Sequence, residues 1–264
     1  MLTLRPGQRH INIPGIGVQT SRRAVASGAG NGLKTALISY WKLDEASGDA
    51  LDAHTNALTM TATATPPGAN TGKVYATART TSNASGIGFS RAYESLIGLS
   101  DLDFTFAAWV YQTDKNSYNH IISKSASSAP YEEMVLRYQS SVDRFYFEVG
   151  WASGYANVQA NNLGSPGLNT WYLIICWHDA ANNKLCIQVN NGTVDEANHS
   201  GGVLNSSYPL YFGRQHPTSQ HDWSGRFGPI AFWKSAAGGG GVLDATKRTL
   251  LWNAGAGLAY SAFS

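Results

Sequence analysis

Four kinds of chemistry are conceivable from residue types in this chain, and three of them have weak support. Nucleophile and acid/base work on a glycoside needs two carboxylates on one face. An adjacent acidic pair such as Glu132-Glu133 points to opposite faces of a strand. Asp101 and Asp103 share a face but sit where a loop enters a strand, the place of turn-capping residues. His178-Asp179 lies at a strand end beside a turn and reads as a structural rim pair. His216, His221 and Asp222 lie in one loop and are a conceivable metal set, although exposed polar loops produce such clusters by chance. Gly238 to Gly241 lacks the Lys-Ser/Thr that would reach a phosphate, so a flexible connector is the simpler account. The fourth chemistry is sugar binding, which uses aromatic platforms and planar polar groups on loops. Tyr118, Trp151, Tyr155, His221 and Trp223 are the aromatic-type residues in or near expected loops.

Those loops must be positioned by strands. The stretch Asn169 to Gly192 holds two β-rich runs joined by Ala-Ala-Asn-Asn, a hairpin pattern. Its first run is apolar on both faces (Trp171, Leu173, Ile175 and Trp177 against Tyr172, Ile174 and Cys176), so it must be covered on both sides. The second alternates, with Leu185, Ile187 and Val189 in and Cys186, Gln188 and Asn190 out. The two cysteines thus fall on different faces and are expected as free thiols. Further strand patterns cover about 37–43, 56–63, 73–80, 86–90, 103–112, 118–124, 132–138, 143–151, 156–160, 208–213 and 226–234, with turn residues between. Leu243 to Trp252 is the one helical pattern, with Asp244 near its start and Gly255 beyond its end. Charged residues are only 14% of the chain, which suits a turn-rich β-protein better than a helical bundle. The expectation is an all-β, two-sheet antiparallel jelly-roll sandwich over 37–264 with one short C-terminal helix.

Four stretches, in order, resemble a known family. Tyr40-Trp41-Lys42-Leu43-Asp44-Glu45-Ala46-Ser47-Gly48 is similar to its opening strand, and Phe104-Thr105-Phe106-Ala107-Ala108-Trp109-Val110 to its "fT-x-x-aWv" strand. The 169–192 hairpin has its central Trp-Asp-Asn-Gly pattern. Ser224 to Trp233, followed by Leu251-Trp252-Asn253-Ala254-Gly255, is similar to its closing strand and terminal turn. The family is that of laminin G-like domains in the concanavalin A-like lectin/glucanase superfamily. The resemblance implies a binding module. The Glu-x-Asp-x-x-Glu motif of the glucanase members is absent, since no Glu here is followed two residues later by Asp, so no catalytic residues are assigned. Many such domains bind calcium at the sandwich rim, which would fall to Asp44 and Asp52. The family's closing Gly-x-Ile-Asp, however, is replaced here by Gly228-Pro229.

Residues 1–36 differ in kind. Residues 1–34 hold Arg5, Arg9, Arg22, Arg23 and Lys34 and no acid, whereas the remainder is net acidic. Proline and glycine break any long element, yet Ile11 and Ile13 remain as apolar anchors. Such a segment is an extended docking arm, expected to engage a partner through Arg5, Arg9, Ile11, Ile13, Arg22 and Arg23. The basic residues are too sparse, and too far from aromatics, to suggest nucleic acid. No apolar run reaches the about 20 residues of a membrane span, and the opening residues lack an apolar signal core. The composition is similar to that of phage appendage proteins carrying laminin G-like domains. The expectation is a non-catalytic virion protein assembled in the host cytoplasm. Its arm would dock to capsid or tail, and its sandwich would be displayed for glycan or protein binding, as a homo-oligomer with no required cofactor. A free carbohydrate-binding lectin is the alternative, and a glycoside hydrolase the third reading.

Overall fold

A computed structural model describes residues 30–83, 86–116, 118–127, 132–217 and 221–264. The arm residues Arg5, Arg9, Ile11, Ile13, Arg22 and Arg23 lie outside these. In chain order the strands are β1 (Leu37–Trp41), β2 (Thr61–Ala62), β3 (Gly68–Thr71), β4 (Thr77–Thr81), β5 (Phe89–Arg91), β6 (Asp103–Gln112), β7 (Asn119–Ser125) and β8 (Glu132–Gln139). They continue with β9 (Arg144–Trp151), β10 (Gly154–Gln159), β11 (Trp171–Asp179), β12 (Lys184–Val189), β13 (Asp195–Asn198), β14 (Leu210–Phe212) and β15 (Gly225–Ser235). One α-helix, α1 (Ala245–Trp252), follows. The first sheet runs β13-β12-β11-β6-β15-β4-β3, with β1 also on β15; the second runs β10-β9-β8-β7-β14-β5-β2. Every strand pairing is antiparallel. The protein is the two-sheet sandwich that its alternating pattern foretells.

Strand alternation builds the space between the sheets. Phe104, Phe106, Ala108 and Val110 of β6 and Tyr172, Ile174 and Cys176 of β11 face Met134, Leu136, Phe145, Phe147 and Val149 of the second sheet. Phe106 stacks on Phe232 with ring centroids 4.3 Å apart. The opposite face of the first sheet is equally apolar, and a second cluster explains it. Ala107, Trp109, Leu173, Ile175, Trp177 and Trp233 are covered by Leu243, Leu251 and Phe263 of the C-terminal segment. Cys176 lies in the inner cluster and Cys186 in the outer one, both as free thiols. The face of β12 expected to be exposed is therefore covered too. Arg248 of α1 donates to the Gln188 side chain at 2.8 Å and lies 4.5 Å over the Trp177 ring.

The helix is short because its signals are close together. Asp244 caps it by accepting from the Lys247 N–H at 2.8 Å, and Asn253, in a left-handed conformation, ends it. The folded unit also takes in residues before 37. Leu33 is fully buried in the outer cluster, its carbonyl accepts from Trp233 Nε1 at 2.7 Å, and Asn31 Nδ2 donates to the Ala262 carbonyl. The Gly238–Gly241 segment is a pinned turn and not a loose connector. Gly238 N–H donates to the Asp103 carboxylate, and a Cβ on Gly241 would lie 2.3 Å from the Asp103 carbonyl oxygen.

Candidate functional site

The outer face of the second sheet carries the site. In β8 and β9 the residues between the core positions point outward, and the register sets Arg137 opposite Tyr146 and Val135 opposite Glu148. The pairing of β7 with β8 skips Glu133, since Lys124 pairs with Met134 and Ser125 with Glu132. This bulge aims Glu132 to the outer face and Glu133 inward. Glu133 is there fully buried against Lys124 Nζ at 2.7 Å and accepts the Leu99 N–H.

The result is an open cleft of about 600 Å³. Arg137 is its hub. Its Nε donates to Gln139 at 2.7 Å, its guanidinium lies 3.3 Å from Glu148 and 3.8 Å from Glu132, and it sits 4.8 Å over the Tyr146 ring. Gln215 Nε2 donates to Glu132 at 2.9 Å. Burial pushes the Glu148 carboxyl up to about 7, with Arg137 opposing and the hydrogen-bonded Glu132 carboxylate adding to the rise. Burial likewise lifts the Tyr146 phenol to about 12. His120 lines the floor, 1% exposed. Its Nδ1 lies 3.0 Å from the His221 carbonyl oxygen, which can only accept, so Nδ1 carries the proton and Nε2 is a bare acceptor. That Nε2 has no partner. Burial and the neighbouring Arg137 hold His120 well below its ordinary value, so it is neutral.

Of the five aromatic-type residues read as sugar contacts, four come together here: Tyr118, Trp151, Tyr155 and His221. Tyr155 is the open ring, 66% exposed. Part of the Trp151 surface is covered by the chain itself, since a Cβ on Gly154 or Gly201 would come within 2.9 or 2.4 Å of the indole. Trp223 is a correction. It is fully buried between the sheets, beside Phe227, because its backbone N–H is drawn in to the Gly213 carbonyl. Glu148, Arg137, Tyr146 and His120 were missed. Their signal was present in the alternation of 134–139 and 144–149, but only cross-strand register brings them together.

The remaining sites are structural. His178 is buried, donating from Nδ1 to the Leu102 carbonyl at 2.8 Å. Asp103 accepts N–H groups from Ala180 and Gly238. Asp222 is buried and accepts the Gly86 N–H, apart from any metal-type cluster; no group of three or more such ligands occurs among the described residues. At the rim loop read as a calcium site, groups of the chain itself engage several of the oxygens. Asp52 accepts N–H groups from Tyr40, His54 and Leu58, and the Asp44 carbonyl accepts from Thr77 Oγ1. Some neighbouring oxygens face a cation of the chain. Buried Arg79 donates to the Gly48 and Pro67 carbonyls at 2.8 and 2.6 Å and lies 3.6 Å from Glu45.

Known proteins share this architecture. The sandwich resembles the binding domain of Paraclostridial Mosquitocidal Protein 1 (TM-score 0.64, 12% identity, 83% of this chain and 52% of that one). It also resembles domain 4 of AbnA, a GH43 extracellular arabinanase from Geobacillus stearothermophilus solved with arabinotriose (TM-score 0.58, 12% identity, 80% and 98%). The binding domain of botulinum neurotoxin serotype G is a third (TM-score 0.59, 15% identity, 83% and 51%). The chain thus spans about half the length of the two toxin domains. At these identities the likeness is one of fold. A comparison with curated protein sequences finds no match. The profile of a laminin G family matches residues 82–239, more than half of the chain and the part that builds both the inter-sheet core and the cleft. By that match the chain belongs to the concanavalin A-like lectin/glucanases superfamily.

Proposed function

We propose that this chain is a non-catalytic carbohydrate-binding protein and that the cleft on the second sheet is its sugar site. One observation carries the reading: an open cleft joins the exposed Tyr155 ring, Tyr118 and Trp151 to a carboxylate–guanidinium network on rigid strands. Ring faces bury the apolar side of a sugar, and planar polar groups fix its hydroxyls. The solved complex of the AbnA domain with arabinotriose supports the idea that a sandwich of this shape can hold a sugar. Binding is favoured over cleavage by the carboxylate geometry. Glu132 and Glu148 both face the one Arg137 guanidinium, at 3.8 and 3.3 Å, whereas hydrolysis needs a sugar or water held between its two carboxyls. The test is a glycan array probed with the full chain, then with Tyr155→Ala and Tyr118→Ala. Binding that falls at least about tenfold in both variants, with unchanged melting, supports the site. Release of reducing ends from a bound glycan would overturn the non-catalytic part.

The setting we propose is a virus particle, with residues 1–36 docking the sandwich to capsid or tail. The support is the basic, Gly/Pro-punctuated arm sequence, together with the position of its root. Leu33 packs on the outer face of the first sheet, the side away from the cleft, so a tethered sandwich would present its cleft outward. Deleting residues 1–29 should abolish incorporation into particles and leave sugar affinity unchanged.

A further inference from the structure

The groups around the cleft differ in what they have left to offer a ligand. In the network around Arg137 the hydrogen-bond donors are already turned to acceptors of the protein. Arg137 serves Gln139, Glu148 and Glu132; Gln139 Nε2 donates to Ser141, and Gln215 Nε2 to Glu132. The acceptors are in excess. The two carboxyl groups retain lone pairs, with Glu132 the more open of them, whereas the unpartnered His120 Nε2 is itself buried beneath the cleft.

Charge points the same way. Among the described residues that line the cleft Arg137 is the only cation, and the Glu132 carboxylate and Glu148 flank it. His120 and His221 are both held below their ordinary values by burial and by Arg137, so neither adds positive charge near neutrality. A carboxylate or sulfate on a sugar is acceptor-only. It would meet acceptors, and no unpaired guanidinium to offset its desolvation. The hydroxyls of an uncharged sugar can donate to those same acceptors.

We propose that the cleft selects uncharged sugars and rejects acidic ones, because Glu132, Glu148 and Gln139 engage Arg137 while unmatched acceptors face the ligand. The proposal rests on the reading of the cleft as a sugar site. It assigns Glu132 and Glu148 as specificity-determining residues: they bind hydroxyls and they screen Arg137 from anions.

The experiment uses matched pairs, each neutral oligosaccharide beside its sialylated or uronic-acid counterpart, on an array and then by calorimetry with the full chain. For each neutral binder the acidic partner should bind at least about tenfold more weakly. Glu132→Gln, which removes one negative charge and adds a donor while keeping the shape, should narrow that gap by raising the affinity for the acidic member. Melting curves establish that the variant is folded. Equal or tighter binding of the acidic partners by the unmodified chain overturns the selectivity and leaves the sugar site standing. So does a gap that Glu132→Gln, folded, leaves unchanged. Binding of neither member of any pair overturns the sugar-site reading itself, and this proposal with it.

Discussion

Burial of Glu148 beside Glu132 makes one proton part of the folded state. Its carboxyl is pushed up to about 7 from an ordinary 4.5, chiefly by burial. Between those values the unfolded chain releases the proton and the folded chain keeps it. Stability is therefore full below about pH 4.5 and falls as pH rises toward 7. Asp222, raised to about 6 by burial, contributes with the same sign over a lower window. Glu148→Gln removes the larger contribution and keeps the shape. His120 and His221, held below their ordinary values, act with the opposite sign, so the readout is a difference: in urea titrations at pH 5 and pH 8, the change in stability with rising pH should be clearly more favourable in the variant than in the unmodified protein. Equal slopes would mean that Glu148 is charged in the folded protein at both values. At this scale the sequence was half informative. Tyr118, Trp151, Tyr155 and His221 could be chosen as aromatics near loops, but Trp223 has the same chemistry and a buried address. Glu148 looked solitary, because the carboxylate it meets is on the next strand and the bulge at Glu133 decides which glutamate faces it.

Among the elements, the loop between β1 and β2 holds a cation of the chain close to the residues read as calcium ligands. Arg79 reaches out of β4 and joins the Gly48 carbonyl and Glu45 of that loop to the Pro67 carbonyl just before β3. It is fully buried and lies over the Phe89 ring at 5.0 Å. Replacing it with Met keeps much of the volume but leaves two carbonyls and a carboxylate without their donor. The expected cost is about 3–5 kcal/mol, the range for removing one partner of a buried ionic network. Calcium or a chelator should leave the melting temperature of the unmodified protein unchanged; a rise with calcium would mean that the loop oxygens can turn to an outside ion. Most elements were legible. β6, β11 and α1 have strong periods or caps and lie close to where the pattern places them. β3 (Gly-Ala-Asn-Thr) and β13 (Asp-Glu-Ala-Asn) were not, because both lie at sheet edges and have no apolar alternation to reveal them. The 56–63 pattern shrank to β2, since Leu58 and Met60 enter the core from a loop held by Asp52.

Over the whole molecule, the two faces have separate duties. The first sheet's outer face is closed by the C-terminal segment. Trp252 stacks on Trp109 at 5.5 Å, and Phe263 meets Tyr40 edge-on at 5.2 Å and Trp233 at 6.3 Å. The same segment clasps the chain before β1, through Asn31 to Ala262 and Ser264. The cleft uses neither. Phe263→Ala should therefore destabilise by about 3–5 kcal/mol, the usual cost of emptying a buried Phe site. That is a large share of the roughly 5–15 kcal/mol that holds a domain together. Deleting residues 243–264 should go further. It uncovers Trp109, Leu173, Ile175 and Trp233 at once, each worth about 1.5–3 kcal/mol of burial, and the product should bind hydrophobic dyes and aggregate on size-exclusion columns. Sugar affinity of folded Phe263→Ala, measured well below its melting temperature, should equal that of the unmodified protein, because the inter-sheet core separates the two faces. A drop in affinity without unfolding would mean that the sandwich transmits strain from one sheet to the other. In that case a partner docked near the chain's two ends would also tune the cleft.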